Sequence, residues 1–233
     1  MFYTPLNGFT WSLGSVASWQ FAIKALFSYR SNHNPLAGIY GLLGVSLGMA
    51  LFFFGVPALV TNNVHMLKYT YFLADLFVQV TIQVEVWLLW FIGLRAHINL
   101  RNLLAVTVPF SIVLLSAELL TSFVTISTKP NLVIYTDKPL VLVLKSIIYM
   151  AIALPIGYFF LRQIPKQPYF LAKAKTLFSG LIFIILSSAA TSNNILDKGS
   201  DTVSSATILG VFFALFLIVN LLPRSSPATV VKH

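Results

Sequence analysis

Long apolar runs separated by short polar breaks make up nearly the whole chain. Seven runs can be marked, at about 8–28, 36–60, 69–94, 103–124, 139–161, 175–194 and 203–222. Each approaches the roughly 20 residues that a helix needs to cross a bilayer. The breaks carry the polar residues: "RSNHNP", "TNNVHMLK", "RAHINLRN", "TISTKPNLVIYTDK", "RQIPKQPYFLAKA" and "ILDKGSDT". The pattern predicts an all-α bundle of seven membrane-crossing helices in one domain, with 223–233 as a short tail.

The third run contains a contrary signal. "VQVTIQVEVW", residues 78–87, alternates apolar and polar positions as a half-buried strand does. The alternation is short, and it sits inside a much longer apolar run flanked by continuously apolar ones. Backbone groups in lipid must pair within their own segment unless a barrel closes. A helix is therefore predicted. At 100° per residue, Asp75, Gln79 and Gln83 then fall within about 80° of one another, while Thr81 and Glu85 face elsewhere.

Composition supports the same picture. The chain is 58% hydrophobic and only 9% charged, against about 25% charged in soluble domains. It has no cysteine, so thiolate metal sites and thiol nucleophiles are excluded. The start, "MFYTPLNGFTW", lacks a basic n-region and a small-residue cleavage site, so a removable signal peptide is not expected.

The net charge of +9 changes meaning once it is placed along the chain. One side of the seven-run layout holds Lys24, Arg30, Arg95, Arg101, Arg162, Lys166, Lys173, Lys175, Arg224 and Lys232. The other holds Lys68, Lys129, Lys138 and Lys198. Basic residues favour the cytoplasmic side, so the N-terminus is expected outside and the C-terminus inside. The positive charge then marks a rim against anionic lipid, and nucleic acid is not expected as a partner.

Charged residues within the runs are the candidate chemistry, because each costs about 2.5–3.5 kcal/mol at the membrane centre. Asp75, Glu118 and Lys145 each lie about six residues inside the outer end of a run, roughly 9 Å deep. Two carboxyls and one ammonium at one depth suggest a ligand or ion cluster, extended inward by Gln79 and by Tyr149, one turn from Lys145. A buried ion pair that only fixes packing is the plainer explanation. Nearer the inner side, Glu85 and Lys24 are the candidates for a second pair.

Other features speak to packing. Gly44 and Gly48 form a GxxxG in "GIYGLLGVSLG", suited to close helix contact. Pro57, Pro109 and Pro155 fall within runs and are expected to bend them. Ser187, Ser188, Thr191 and Ser192 are candidates for a polar outer vestibule. Trp11, Trp87, Trp90, Tyr69 and Tyr71 suit an interfacial belt, and Trp19 is placed to line a pocket.

No HExxH, GxSxG or phosphate loop occurs, and no helix-borne histidine pair offers a metal site. Catalysis is not expected, and no cofactor is implied. Seven helices with the N-terminus outside resemble the layout of microbial rhodopsins and of bacterial seven-helix sensor modules. A rhodopsin carries its retinal lysine in the last helix. Here that run, "TILGVFFALFLIVNLL", has none, and Lys145 stands in the fifth. The resemblance therefore implies a receptor-like module without retinal, signalling through a protein partner. A small ion- or proton-coupled transporter is the alternative.

Overall fold

The computed structural model describes residues 5–128, 131–136, 138–195 and 199–221. Seven α-helices are present among them: α1 Leu6–Asn32, α2 Pro35–Val60, α3 Val64–Leu89, α4 Leu100–Thr121, α5 Pro139–Gln163, α6 Phe170–Ile195 and α7 Gly199–Leu221. The alternating stretch 78–87 lies inside α3. That helix continues as a single π-helical turn, Trp90–Leu94. The asparagines of the polar breaks start helices. The side-chain oxygens of Asn34, Asn63 and Asn99 accept from Leu36, His65 and Arg101 N–H at 3.0 Å each, satisfying donors that a helix start leaves unpaired.

Helices α1, α2, α3, α5, α6 and α7 pack in that order as a ring, closed by α7 on α1, while α4 lies outside against α3 and α5. The first contact is made close by glycine. A Cβ on Gly44 would stand 2.9 Å from the Ser18 carbonyl oxygen of α1 and 2.8 Å from the Ala22 Cβ. One on Gly48 would meet the Trp19 ring at 2.3 Å. Trp19 thus covers Gly48 and leans on Phe52, 5.6 Å between centroids, and it does not line the cavity described below. Ile39, Ile82, Leu88, Ile152, Ile156 and Phe183 fill one core between α2, α3, α5 and α6. Leu51, Leu209, Phe212 and Phe213 fill another between α2 and α7.

Among the described residues, four helical stretches are long and apolar enough to cross a membrane: Pro35–Val60, Val64–Leu94, Leu100–Thr121 and Pro139–Lys166. Ala206–Leu221 is apolar but shorter. The outer face of α4 leaves Val106, Ile112, Val113 and Leu120 exposed, a surface suited to lipid rather than water.

The break between α4 and α5 differs from expectation. α4 stops at Thr121, short of the expected 124, because Phe123–Thr128 and Asn131–Thr136 form an antiparallel hairpin, β1 and β2. Val124 pairs with Tyr135 and Ile126 with Val133, so β-branched and aromatic side chains share one face. Val124 and Val133 are buried against Ala58 of α2 and Leu67 of α3. The side chains of Ser187, Ser188, Thr191 and Ser192, proposed for a vestibule, and the 223–233 tail lie outside the described residues.

Candidate functional site

Three helices each contribute one charged side chain to a single point. Lys145 of α5 places its ammonium nitrogen 2.8 Å from Glu118 Oε1 of α4 and 3.4 Å from Asp75 Oδ1 of α3. All three are buried, with relative exposures of 6%, 1% and 3%. α4 buries only Ser111, Leu114 and Glu118. Its one carboxyl is thus turned inward, while Arg101 in its first turn is exposed and its apolar face looks out. Two carboxyls around one ammonium leave the group one positive charge short of neutrality when all are ionised.

Gln79, one turn along α3 from Asp75, is 5% exposed, and neither of its amide atoms has a hydrogen-bond partner among the described residues. The same holds for Thr121 Oγ1 of α4 and Ser146 Oγ of α5, neighbours in sequence of the charged positions. Buried polar atoms normally find partners, so this region carries spare hydrogen-bonding capacity. Tyr149 stands one turn beyond Lys145 and packs against the α2–α3–α5–α6 core. Gln83 does not join the cluster. Its amide donates to Ser111 Oγ at 2.8 Å and accepts from Thr107 Oγ1 at 2.7 Å, tying α3 to α4.

The hairpin roofs this cluster through aromatic rings. Tyr71, expected in an interfacial belt, is instead 6% exposed. Its ring lies 5.8 Å from the Lys145 ammonium, within cation–π range. Tyr135 of β2 stacks on the Tyr71 ring, with centroids 4.8 Å apart and planes 5° from parallel. Phe54 of α2 touches both rings, and its carbonyl accepts from the Tyr135 hydroxyl at 3.3 Å. Burial pushes the Tyr135 hydroxyl above its ordinary pKa, so it stays a neutral donor. Asn7 of α1 fastens β2 from the side. Its amide donates to the Val133 carbonyl at 2.5 Å, and its oxygen accepts from Val133 N–H at 3.3 Å. The hairpin thus reaches the cluster through Tyr135 and Tyr71.

The expected inner pair does not form. The Lys24 ammonium donates to the backbone carbonyl of Asn220, in the last turn of α7. Carbonyls there lack helical partners and sit at the negative end of the helix dipole. They satisfy the lysine without Glu85. Glu85 instead lines a cavity inside the ring of six helices, with Ser18, Tyr40, Ser179 and apolar side chains.

Two signals for the roof were present in the sequence. "FVTIST" and "NLVIYT" are β-branched runs on either side of Lys-Pro, a hairpin-like composition. The role of Asn7 had no local signal, since its partner is a backbone group 126 positions away. No family model matches this chain, and a search of curated proteins finds no match.

Proposed function

We propose that the chain is an integral membrane protein of the receptor-like or sensory kind, with seven spans, the N-terminus outside and the C-terminus in the cytoplasm. A small cationic ligand or a proton is received at Asp75, Gln79, Glu118, Lys145 and Tyr149. The observation that carries this reading is the surplus carboxyl: two buried acids share one ammonium, beside a buried amide with no hydrogen bond among the described residues. A pair serving only packing needs one acid. The additional one gives the cluster affinity for positive charge. The stack from Lys145 through Tyr71 to Tyr135 offers the means of reporting occupancy, because displacing the ammonium disturbs the ring beneath the hairpin. The basic inner rim, including Lys166 and Lys173, supplies the surface toward a partner protein.

A transporter is the second reading. The observation favouring it is Glu85, a further carboxyl ten positions along the same helix, about 15 Å inward from Asp75. It faces a cavity in the ring.

The absence of cysteine allows one experiment to separate the two. A Lys166→Cys variant is reconstituted in liposomes, and its labelling rate is followed while the external pH is stepped. The sensory reading predicts a labelling change of several-fold with no net proton flux, abolished by Asp75→Asn. Dissipation of an imposed pH gradient establishes transport instead. No response in either assay defeats both.

A further inference from the structure

The cavity beside Glu85 has the chemistry of a second binding site. Its wall is drawn from all six ring helices, and α4 takes no part. Its volume is about 40 Å³, room for roughly three waters or a compact solute of similar size. Aromatic rings form a continuous arc around it. Phe216 and Phe21 lie 6.1 Å apart, Phe21 and Tyr40 6.1 Å, Tyr40 and Phe160 5.9 Å. Into this arc the ring bundle places one carboxyl, that of Glu85. Among the described residues it has no salt bridge, and Lys24, the partner expected from the sequence, is engaged with the Asn220 carbonyl. Ser18 on the same wall is 2% exposed, and its hydroxyl has no hydrogen-bond partner among the described residues.

We infer that this cavity binds a small organic ammonium ion, with Glu85 as its counter-charge, the aromatic arc as its cage and Ser18 as an acceptor for one N–H. The ring faces attract a cation through their quadrupoles, most strongly where water is excluded. A carboxylate in such a setting has a large desolvation cost that a bound cation offsets. Hard metal ions suit the site less well. Calcium takes six to eight oxygen ligands and magnesium an octahedron of them, whereas this wall is mostly rings and aliphatic carbon. The inference is independent of the outer cluster, and either can fail without the other.

The test uses the full chain in lipid nanodiscs with ethylammonium as the probe, read by saturation-transfer NMR on the probe and by thermal shift. Ethanol serves as the neutral solute of equal heavy-atom count, and sodium chloride as the control for charge alone. Ethylammonium is expected to give a saturable signal and a rise in melting temperature that ethanol and sodium do not. Glu85→Gln is expected to weaken it at least tenfold. Phe216→Leu, which keeps the wall apolar but removes one ring, is expected to weaken it several-fold, and it decides the matter should Glu85→Gln not fold. Equal responses to ethanol or sodium, an unchanged affinity in either variant, or no saturable binding would overturn the inference.

Discussion

The outer cluster and the inner cavity place carboxyl groups on one helix, α3, and treat them in opposite ways. Asp75 is buried at 3% exposure beside a lysine, held against a third helix and roofed by a hairpin. Glu85 faces a cavity among aromatic rings and has no salt bridge among the described residues. The difference follows from what each level of the bundle can supply. At the outer level α4 approaches and brings Glu118, and α5 brings Lys145. At the level of Glu85, α4 is tied to α3 through Gln83, Thr107 and Ser111, and its basic residue, Arg101, is exposed. One site is thus internally compensated with an acid to spare, and the other has no compensating salt bridge among the described residues. A charge removed from the first leaves partners behind. A charge removed from the second leaves none.

The largest effect should come from Lys145→Met. Two buried carboxyls would then face each other without an ammonium, and breaking a buried pair in this way costs about 3–5 kcal/mol. For a chain of this size that is a fall of roughly 10 °C in melting temperature. Adding Glu118→Gln to the same protein should recover most of it. Thermal denaturation in detergent checks both.

Next in size is the roof. Tyr135→Ala removes the ring stacked on Tyr71 and the hydrogen bond to Phe54, a loss of about 2 kcal/mol. Amide exchange across β1 and β2 should accelerate markedly while that of α6 and α7 stays as it was. Asn7→Ala loosens the same hairpin more gently. It strips two hydrogen bonds from the Val133 backbone, worth about 1–2 kcal/mol together, and the Val133 amide should show the change first. The smallest effect belongs to the inner site. Glu85→Gln should leave the melting temperature within about 4 °C of the parent's, because among the described residues no cation loses a salt-bridge partner. A fall as large as that of Lys145→Met would erase the distinction between the two sites.

The parts of this arrangement differ in how legible they are in the chain. Single charges inside apolar runs stand out, so Asp75, Glu118, Lys145 and Glu85 were visible from hydropathy alone. The packing role of Gly44 and Gly48 was visible for a similar reason, since small residues at helical spacing have few uses in an apolar run. The hairpin was hidden by its mixed composition. Thr, Ser, Asn and Lys made "TISTKPNLVIYTDK" look like solvated loop, and its β-branched alternation was outweighed. Tyr71 looked like a belt residue because its burial depends on Tyr135, which pairs across that hairpin. The partner of Lys24 was illegible in principle, because a backbone carbonyl leaves no mark in a sequence. The cavity was illegible too, since it arises from rings on several helices meeting around a point.

The most direct test of the proposed receiving site is the thermal stability of Asp75→Asn beside the parent protein in the same detergent. Asparagine keeps the size of the side chain and leaves the 2.8 Å contact between Lys145 and Glu118 in place. If Asp75 is the surplus acid of a site for positive charge, the fold does not need it. The melting temperature should then match or exceed that of the parent. A fall approaching that of Lys145→Met would show that both carboxyls are there to hold the helices together, and the cluster would lose its claim to a function beyond the fold.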